Sequence, residues 1–261
     1  MTSTLVLGID VGGTGIKAQI VDVEQGTLTA KRLRVKTPQP STPNAVSKAV
    51  GKLVSAKELR AAEIAGAGFP AVIKDGVARS AANVDHRWIG TNVAEVLSEA
   101  TGMPTTAIND ADAAGLAEVR FGAGRGEFGV VVMVTLGTGI GTGLFWKGQL
   151  VPNSELGHLQ VRGRDAEDRA AANVREKKHL SWTHWAKLVE EYLLVLDRVL
   201  APDLVIIGGG VSATPEKFLP KITIRPRLVA AQLGNDAGII GAAMYAAEAS
   251  AAVMVGPAEP G

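Results

Sequence analysis

The sequence predicts an α/β protein built from two similar lobes, and three observations support this class. Each half of the chain contains two strand-like apolar runs joined by a turn rich in glycine, "GIDVGGTGIKAQIVD" at residues 8–22 and "VVMVTLGTGIGTGLF" at residues 131–145. A third apolar run, "DLVIIGGGV" at residues 203–211, also ends in glycines. Segments with helical spacing separate these runs, so strands and helices alternate along the chain.

The first half of the chain combines strands with two helices. The run at residues 4–10 is almost wholly apolar, as expected for a strand that is buried on both faces. Residues 26–38 alternate like a strand at the edge of a sheet. Gly102 is suited to end the helix before it. The predicted strands are residues 4–10, 16–23, 26–38, 64–73 and 105–110, and the predicted helices are residues 44–59 and 90–102.

The second half repeats the order strand, glycine turn, strand, which indicates an internal duplication. Helices are predicted at residues 111–124, 181–202 and 237–251. The longest of them has a clear apolar side. That side is formed by Trp185, Leu188, Val189, Tyr192 and Leu196.

These patterns divide the chain into lobes. We expect a small N-terminal lobe at residues 1–109 and a large C-terminal lobe at residues 110–237. The final helix, at about residues 238–252, is expected to pack back on the first lobe. Residues 253–261, "VMVGPAEPG", are expected to form a disordered tail.

Composition excludes several classes of function. The 261 residues carry 27 basic and 26 acidic side chains, so no global field attracts nucleic acid or an anionic membrane. The absence of cysteine excludes a disulfide scaffold, a thiolate nucleophile and a cysteine zinc site. No signal peptide and no apolar run of roughly 18 residues is found. We therefore expect a cytoplasmic protein without nucleic-acid or membrane partners.

The glycine turns are candidates for binding phosphate. Such a turn presents backbone N–H groups, glycine permits close approach and positive φ, and threonine adds a hydroxyl donor. The alternative is a set of tight turns without a ligand. The glycine spacing fits neither a Walker A loop nor a dinucleotide-binding fold. The candidate phosphate-binding residues are Gly12, Gly13, Thr14, Gly137, Thr138, Gly139, Gly209 and Gly210.

Two charged residues flank the first glycine turn. Asp10 ends the first strand and is a candidate to hold Mg²⁺ through water, because Mg²⁺ usually keeps much of its hydration shell. Its alternative role is to cap the amides of its own turn. Lys17 lies on the outgoing strand, where it either contacts phosphate or is a solvated strand residue.

Several polar residues have the chemistry that recognises sugar hydroxyls. Glu155 and His158 are three residues apart and would point the same way on one helical turn. Asp110 opens a helix, where its ordinary role is an N-cap. Taken alone, each of these residues is better explained by such structural roles. The candidates for sugar contact are Asn83, Asn109, Asp110, Glu155 and His158.

Taken together, the motifs resemble the ROK family of sugar kinases. "GIDVGGTGIKAQIVD", "GFP…NVDHRW", "IND", "GTGIGTG", "ELGH" and "VIIGGGV" occur here in the family's order and cover almost the whole chain. The resemblance implies two ribonuclease-H-like lobes of the actin/hexokinase superfamily with a cleft between them. The family usually carries a zinc-binding cysteine cluster after the Gly-His motif. No cysteine is present here, so no zinc is expected, and the chain is most similar to the family's polyphosphate glucokinase branch.

The resemblance also assigns roles to residues. It makes Asp110 the general base for the sugar's primary hydroxyl, and it assigns sugar contact to Asn83, Asn109, Glu155 and His158. Glu167 is a further sugar-contact candidate, with Asp168 as its competitor. Asp112 is expected to be a solvated helix residue. The implied donor is inorganic polyphosphate, ATP or both, with Mg²⁺, and the implied acceptor is glucose or mannose.

A polyphosphate donor would need a basic track. "KFLPKITIRPR" holds four basic residues and no acid, and residues 161–179 hold six basic residues against four acids. Such runs are otherwise solvated faces. The alternatives are a strictly ATP-dependent sugar kinase for glucose, fructose or an N-acetylated hexosamine, and a non-catalytic sugar sensor. A monomer and a homodimer are both compatible with the sequence. The basic residues of the first segment are Lys217, Lys221, Arg225 and Arg227.

Overall fold

The computed structural model describes residues 4–29 and 31–255. Its contacts divide the chain into two compact units. One unit contains the residues up to Ala114 together with those from Gly238 onward, and the other is Gly115–Ala237. The lobe boundary predicted from the sequence lies at residue 109, five residues before this division.

The first unit is built on a mixed six-stranded sheet. Its central strand, β1 (Leu5–Val11), pairs antiparallel with β2 (Gly15–Asp22) and parallel with β5 (Ala65–Phe69), and β5 pairs parallel with β8 (Thr105–Asn109). The expected single edge strand at residues 26–38 is instead two short strands, which both pair with β2. The strands of this sheet are β1 (Leu5–Val11), β2 (Gly15–Asp22), β3 (Thr27–Leu28), β4 (Leu33–Lys36), β5 (Ala65–Phe69) and β8 (Thr105–Asn109), and a small hairpin is formed by β6 (Ile73–Lys74) and β7 (Val77–Ala78).

Helices α1 (Pro43–Val54) and α2 (Val93–Thr101) cover part of this sheet. Their apolar sides join β1, β2 and β5 in one buried core, which includes Val46, Val50 and Leu97. Thr42 caps α1 and Asn92 caps α2 through side-chain oxygens, as expected at helix N-termini. Gly102 ends α2 in the left-handed conformation that the sequence predicts.

The final helix, α7 (Ala237–Val255), lies against the sheet of the first unit. The approach is so close that any side chain at Gly8 would overlap the backbone oxygen of Ile239, and one at Gly66 would overlap that of Ala242. The glycines in these strands are therefore explained by packing against α7. We expected a tail from residue 253, but the helix continues to Val255, and the rest of that segment lies outside the described residues.

The second unit repeats the plan of the first. Its central strand, β9 (Val130–Leu136), pairs antiparallel with β10 (Ile140–Trp146) and parallel with β14 (Leu204–Gly208), just as β1 pairs with β2 and β5. This correspondence is the duplication that the sequence indicates. The strands of this sheet are β9 (Val130–Leu136), β10 (Ile140–Trp146), β11 (Gln149–Val151), β14 (Leu204–Gly208) and β15 (Arg227–Ala230).

The helix predicted at residues 181–202 is α6 (Trp182–Leu200). Trp185, Val189, Tyr192 and Leu196 are buried as predicted, and Leu188 is partly buried against the same core. A segment without predicted elements connects β11 to α6. It forms a hairpin of β12 (Gln160–Val161) and β13 (Arg164–Asp165), followed by α4 (Glu167–Ala170) and α5 (Ala172–Lys177).

The helix α3 (Asp110–Phe121) begins directly at the end of β8, as the sequence predicts. Gly241 of α7 lies against the backbone of Ala113, so closely that a side chain there would overlap the Ala113 oxygen. No helix among residues 4–29 and 31–255 is long and apolar enough to cross a membrane.

Candidate active site

The first glycine turn joins β1 to β2 and offers unused backbone donors. The amide of Gly12 donates to the oxygen of Gly15 at 3.0 Å, and Thr37 Oγ1 donates to the oxygen of Gly12 at 2.5 Å. Within the part of the chain that the structure describes, the amides of Gly13 and Thr14 have no acceptor, and both residues are exposed. The turn therefore has the property that binding of phosphate oxygens requires.

Limited space beside the backbone favours glycine at position 12 of this turn, and no unusual backbone conformation requires it. None of Gly12, Gly13 and Gly15 uses the positive φ that glycine permits. A side chain at Gly12 would stand 3.1 Å from the oxygen of Gly15, and one at Gly15 would stand 2.6 Å from Nε of Arg34. The turn is narrow because β4 lies directly beside β2.

Asp10 and Lys17 face each other across β1 and β2. Lys17 Nζ donates to Asp10 Oδ2 at 2.8 Å, and both side chains are mostly buried. No turn amide donates to Asp10 among the described residues, so the alternative capping role has no support. A side chain at Gly238 would lie 3.7 Å from the other oxygen, Oδ1, so glycine leaves space there.

Asn83 lies on an exposed loop next to the first glycine turn. Its backbone oxygen is 3.7 Å from the position that a Gly13 side chain would occupy. The loop is anchored by Trp88, which is fully buried, donates from Nε1 to the Ser41 oxygen at 2.8 Å and packs edge-on against Phe69. This buried anchor fixes the loop while the Asn83 side chain remains exposed.

Asn109 and Asp110 share the junction of β8 and α3. The side chain of Asn109 accepts from the amides of Ala111 at 2.9 Å and Asp112 at 3.1 Å, and it donates to the Ala71 oxygen at 3.1 Å. Asn109 is therefore the residue that caps α3, which was the alternative, structural role considered for Asp110. Asp110 Oδ1 also accepts from the Ala111 amide at 2.9 Å, and its side chain is partly exposed.

Asp112 does not have the position that we expected from the sequence. It is fully buried rather than solvated, because this turn of α3 packs inside the first unit. Burial and the negative charge of Asp112 together raise the pKa of Tyr245 on α7. Asp112 thus belongs to the packing of α3 against α7.

The second unit presents two further glycine turns. The amide of Gly137 donates to the Gly139 oxygen at 3.0 Å, and the Gly137 oxygen accepts from the amide of Asn173 at 3.0 Å. After β14, Gly209 has a φ of +81°, and a side chain there would overlap the backbone oxygen of Leu136. Only glycine meets both conditions at position 209.

A cavity of about 440 Å³ opens beside these two turns. It is lined by backbone from both glycine turns, by the start of α5 and by the first residue of α6. Two of the three glycine-rich segments of the sequence meet at this cavity. The residues that line it are Leu136, Gly137, Thr138, Ala172, Asn173, Arg175, Glu176, Trp182, Gly210, Val211 and Thr214.

His158 lies in a cluster of carboxylates within the second unit. Its Nδ1 is 2.8 Å from Asp165 Oδ2 and 3.8 Å from Glu167 Oε1, and its Nε2 is 3.9 Å from Glu155 Oε2. Thr142 of β10 holds the preceding loop, since its hydroxyl accepts from the Leu156 amide at 3.0 Å. This loop carries Glu155 and His158, which the sequence spacing predicts to point the same way, and the bond to Thr142 holds it in place.

The cluster changes the acidity of its members. The hydrogen bond to Asp165 raises the pKa of His158, and the charges of Glu167 and Glu155 act in the same direction. Burial raises the pKa of Glu155, against the opposing effect of His158. The group thus combines a readily protonated imidazole with carboxylate acceptors, which is suitable chemistry for binding sugar hydroxyls.

Glu167 and its competitor Asp168 have different surroundings. Glu167 Oε2 accepts from the amide of Ile140 at 3.3 Å, directly after the second glycine turn. Asp168 is exposed and has no hydrogen bond or ion pair among the described residues. The geometry therefore favours Glu167 over Asp168 as the member of the cluster.

The chain matches a known family of proteins over more than half of its length. A family model for ROK proteins matches residues 6–175. The chain belongs to the ROK family.

Relatives of known function agree with this assignment. The chain is 48% identical to a polyphosphate glucokinase of Mycobacterium tuberculosis over 91% of this chain and 89% of that protein. The solved inorganic polyphosphate/ATP-glucomannokinase of Arthrobacter sp. strain KM is 46% identical, with a TM-score of 0.91 over 95% of this chain and 100% of that one. A ROK family glucokinase of Streptomyces griseus, solved with glucose and AMPPNP, is 26% identical, with a TM-score of 0.81 over 94% and 99% of the two chains. The predicted ROK sugar-kinase fold is confirmed.

Asp165 is the site residue that sequence reasoning missed in this ROK protein. It is brought to His158 by the β12–β13 hairpin, whose turn residues Arg162 and Gly163 have φ values of 52° and 75°. The Gly163 signal for a two-residue turn was present in the sequence. Gln160 donates to the other oxygen of Asp165, so the carboxylate is held from two sides.

The basic segments are less available to a ligand than their composition suggests. Arg225 is paired with Asp197, and Arg227 is paired with Glu127 at 2.6 Å. Glu191 holds both Arg162 and Arg169. The acids that neutralise these arginines come from other parts of the chain, so counting charges within a segment could not reveal them.

Proposed function

We propose that this protein is a glucokinase that transfers the terminal phosphoryl group of inorganic polyphosphate or ATP to the 6-hydroxyl of glucose, and that it also accepts mannose. The observation that carries the proposal is the 48% identity to a polyphosphate glucokinase across 91% of the chain. The similarity to a polyphosphate/ATP-glucomannokinase over 95% of the chain supports both donors and both sugars.

Asp110 is the proposed general base. It takes the proton of the sugar's 6-hydroxyl as that oxygen attacks the terminal phosphorus, and the bond from phosphorus to the rest of the donor breaks. Such a base contributes on the order of 10²–10⁴-fold to the rate. Support comes from the capping bonds of Asn109, which fix the backbone at the start of α3 while the Asp110 side chain stays partly exposed.

The remaining sugar contacts are assigned within each unit. In the first unit, the exposed side chain of Asn83 is a proposed hydroxyl ligand, and Asn109 positions Asp110. In the second unit, Glu155, His158 and Glu167 are the proposed ligands. Carboxylates and an imidazole can each accept from sugar hydroxyls, and the protonated imidazole can also donate.

The donor's phosphates are assigned to the glycine turns. In the first unit, Gly13 and Thr14 offer unused amides and Thr14 adds a hydroxyl, while Gly12 keeps the turn open beside them. In the second unit, Gly137, Thr138 and Gly139 form one turn and Gly209 and Gly210 form the other, beside the cavity. Lys17 is assigned to phosphate through its charge, although its ammonium group also pairs with Asp10.

Mg²⁺ is the metal that this family of reactions implies, and Asp10 suits it. Among the described residues no three His, Asp or Glu side chains converge to ligate a metal directly. Mg²⁺ needs only one or two carboxylates together with water and donor phosphates. The space that Gly238 leaves beside Asp10 Oδ1 suits a water-mediated contact. When bound, the ion would neutralise charge on the transferred phosphoryl group.

The first test is formation of sugar 6-phosphate from glucose, with Mg²⁺ and either ATP or medium-chain polyphosphate as the sole donor. Turnover with polyphosphate alone supports the proposal in full. Turnover with ATP alone would leave an ordinary ATP-dependent sugar kinase. Absence of turnover with any hexose and either donor, with a heat-stability shift on adding glucose, would replace the enzyme by a sugar-sensing module.

The base assignment has its own test. Asp110→Asn retains the oxygen that accepts from the Ala111 amide, so the fold should persist. We expect kcat to fall on the order of 10²–10⁴-fold. Glu99→Gln, which changes an exposed carboxylate on α2, is the matched control. An Asp110→Asn variant with near-normal turnover would remove the assignment.

A further inference from the structure

The cavity of the second unit contains an aromatic ring that is covered by a cation. Trp182, at the start of α6, lines the cavity and packs against Trp185 and Phe218 at centroid distances of 5.7 and 6.0 Å. The guanidinium carbon of Arg175 lies 3.9 Å from the Trp182 ring centroid, over the ring. Lys217 Nζ lies 5.5 Å from the same centroid.

Neither cation is neutralised by a carboxylate in the part of the chain that the structure describes. Arg175 and Lys217 form no ion pair there, whereas Arg225 and Arg227 each have an acidic partner. Nε of Arg175 is buried without a hydrogen-bond acceptor. Its guanidinium is therefore held by the Trp182 ring, and its charge remains available to an anionic ligand.

Adenosine and polyphosphate would make opposite demands on this arrangement. The base of ATP is flat and gains affinity by stacking on an aromatic ring, and Trp182 is the aromatic residue that lines this cavity. Arg175 covers that ring, so a base must displace the guanidinium before it can stack. Polyphosphate has no base and carries negative charge on every unit. It therefore gains affinity from the Arg175 guanidinium in its present position over the Trp182 ring.

We propose that Arg175, by covering Trp182, selects polyphosphate over ATP as the phosphoryl donor. The proposal rests on the proposed function and names the residue that sets its donor preference. The phosphate chain would extend from the amide of Thr138 toward Arg175 and Lys217. Glu176 also lines the cavity, but it is exposed and forms no ion pair with Arg175, so it leaves the cation's charge intact.

Two substitutions separate the charge of Arg175 from its coverage of the ring. Arg175→Ala removes both, so we expect the KM for polyphosphate to rise about tenfold and the KM for ATP to fall about threefold. Arg175→Leu removes the charge but keeps an apolar side chain over the ring. We expect it to raise the polyphosphate KM by the same factor without lowering the ATP KM.

The control is Lys187→Ala, which removes an exposed cation of α6 that does not line the cavity. It should leave both KM values unchanged. Equal effects of Arg175→Ala on the two donors, or no effect on either, would overturn the proposal. A wild-type protein that shows no turnover with polyphosphate would instead contradict the proposed function, so the two failures are distinguishable. Thermal unfolding of each variant with and without glucose reports whether it is folded.

Discussion

Nδ1 of His158 donates a hydrogen bond to Asp165, with 2.8 Å between Nδ1 and Oδ2. A carboxylate can only accept, so the proton must be on Nδ1. Nε2 of the neutral ring is then an acceptor, and it becomes a donor when the ring is protonated. The side-chain amide of Gln160 donates to the second oxygen of Asp165, so the orientation of the carboxylate toward His158 is fixed. Asp165 therefore sets the tautomer of the imidazole.

Asp165→Asn is expected to reverse that tautomer. The amide group of asparagine can donate to Nδ1, which would move the proton to Nε2. If His158 contacts the sugar, the KM for glucose should rise about tenfold because one charge-assisted hydrogen bond is lost. Long-range ¹H–¹⁵N spectra of the histidine rings report the tautomer directly. Asp168→Asn, an exposed neighbour, is the control, and an unchanged His158 tautomer would refute the positioning role.

The stability of the protein should depend on the protonation of His158. Its pKa is raised in the folded state, chiefly by Asp165, so the folded protein binds the proton more tightly than the unfolded chain. The stabilisation is complete at pH values below 6.5, the ordinary pKa of histidine in the unfolded chain. It is lost as the pH rises through the higher pKa of the folded protein. The difference in Tm between the wild type and His158→Gln should therefore be larger at acidic pH than at alkaline pH.

The pH dependence of this Tm difference should disappear when the hydrogen bond between His158 and the Asp165 carboxylate is removed. In an Asp165→Asn background, we expect His158→Gln to change Tm by nearly the same amount at both pH values. Because the His158 side chain is half exposed, solvent screens the interaction and the effect on Tm should be small. A Tm difference that grows with pH would contradict the assigned direction of the shift.

Glu118, a buried carboxylate in the same unit, has a structural role. Glu118 of α3 is fully buried, and its two oxygens accept from the amides of Leu233 at 2.7 Å and Ala123 at 2.8 Å. Glu118→Gln would turn one acceptor into a donor that faces an N–H group. We expect a loss of about 2–3 kcal/mol in the free energy of unfolding, measured with urea. Glu190→Gln on α6 is the control and should cost less, because glutamine keeps an oxygen that can accept from the Thr223 amide and the bond is exposed.

Local patterns were sufficient to predict most of the fold. The strands β1, β9 and β14 are continuous apolar runs, and each leads into glycines that the sequence marks clearly. The residues predicted for α6 are buried because its apolar spacing is regular. In such segments, the pattern of a dozen neighbouring residues contains the information that determines the element.

The errors occurred where distant residues decide the outcome. Asp112 was expected in solvent, but the turn of α3 that carries it is enclosed within the first unit. Asp165 reaches His158 only through a hairpin turn, and Arg225 finds its acid 28 residues away, at Asp197. Contacts of this kind depend on packing between elements, which composition and spacing within one segment do not encode.

Tyr192 provides a test of packing in the core of the second unit. Its side chain is fully buried, its hydroxyl has no hydrogen-bond partner among the described residues, and burial raises the pKa of that hydroxyl. An unsatisfied buried polar group costs about 1–3 kcal/mol. We therefore expect Tyr192→Phe to keep or raise the free energy of unfolding, by up to about that amount, because the ring stays in place and only the hydroxyl is removed.

The opposite result is expected for the neighbouring Trp185. Its Nε1 donates to the Ala170 oxygen at 3.0 Å, so Trp185→Phe loses a buried hydrogen bond as well as volume and should destabilise the protein. Urea unfolding of both variants makes the comparison. If Tyr192→Phe also lowered the free energy of unfolding by 1 kcal/mol or more, as expected for a lost hydrogen bond, the hydroxyl would have a partner such as a buried water molecule. In that case this part of the core would be polar rather than an apolar contact between α6 and the sheet.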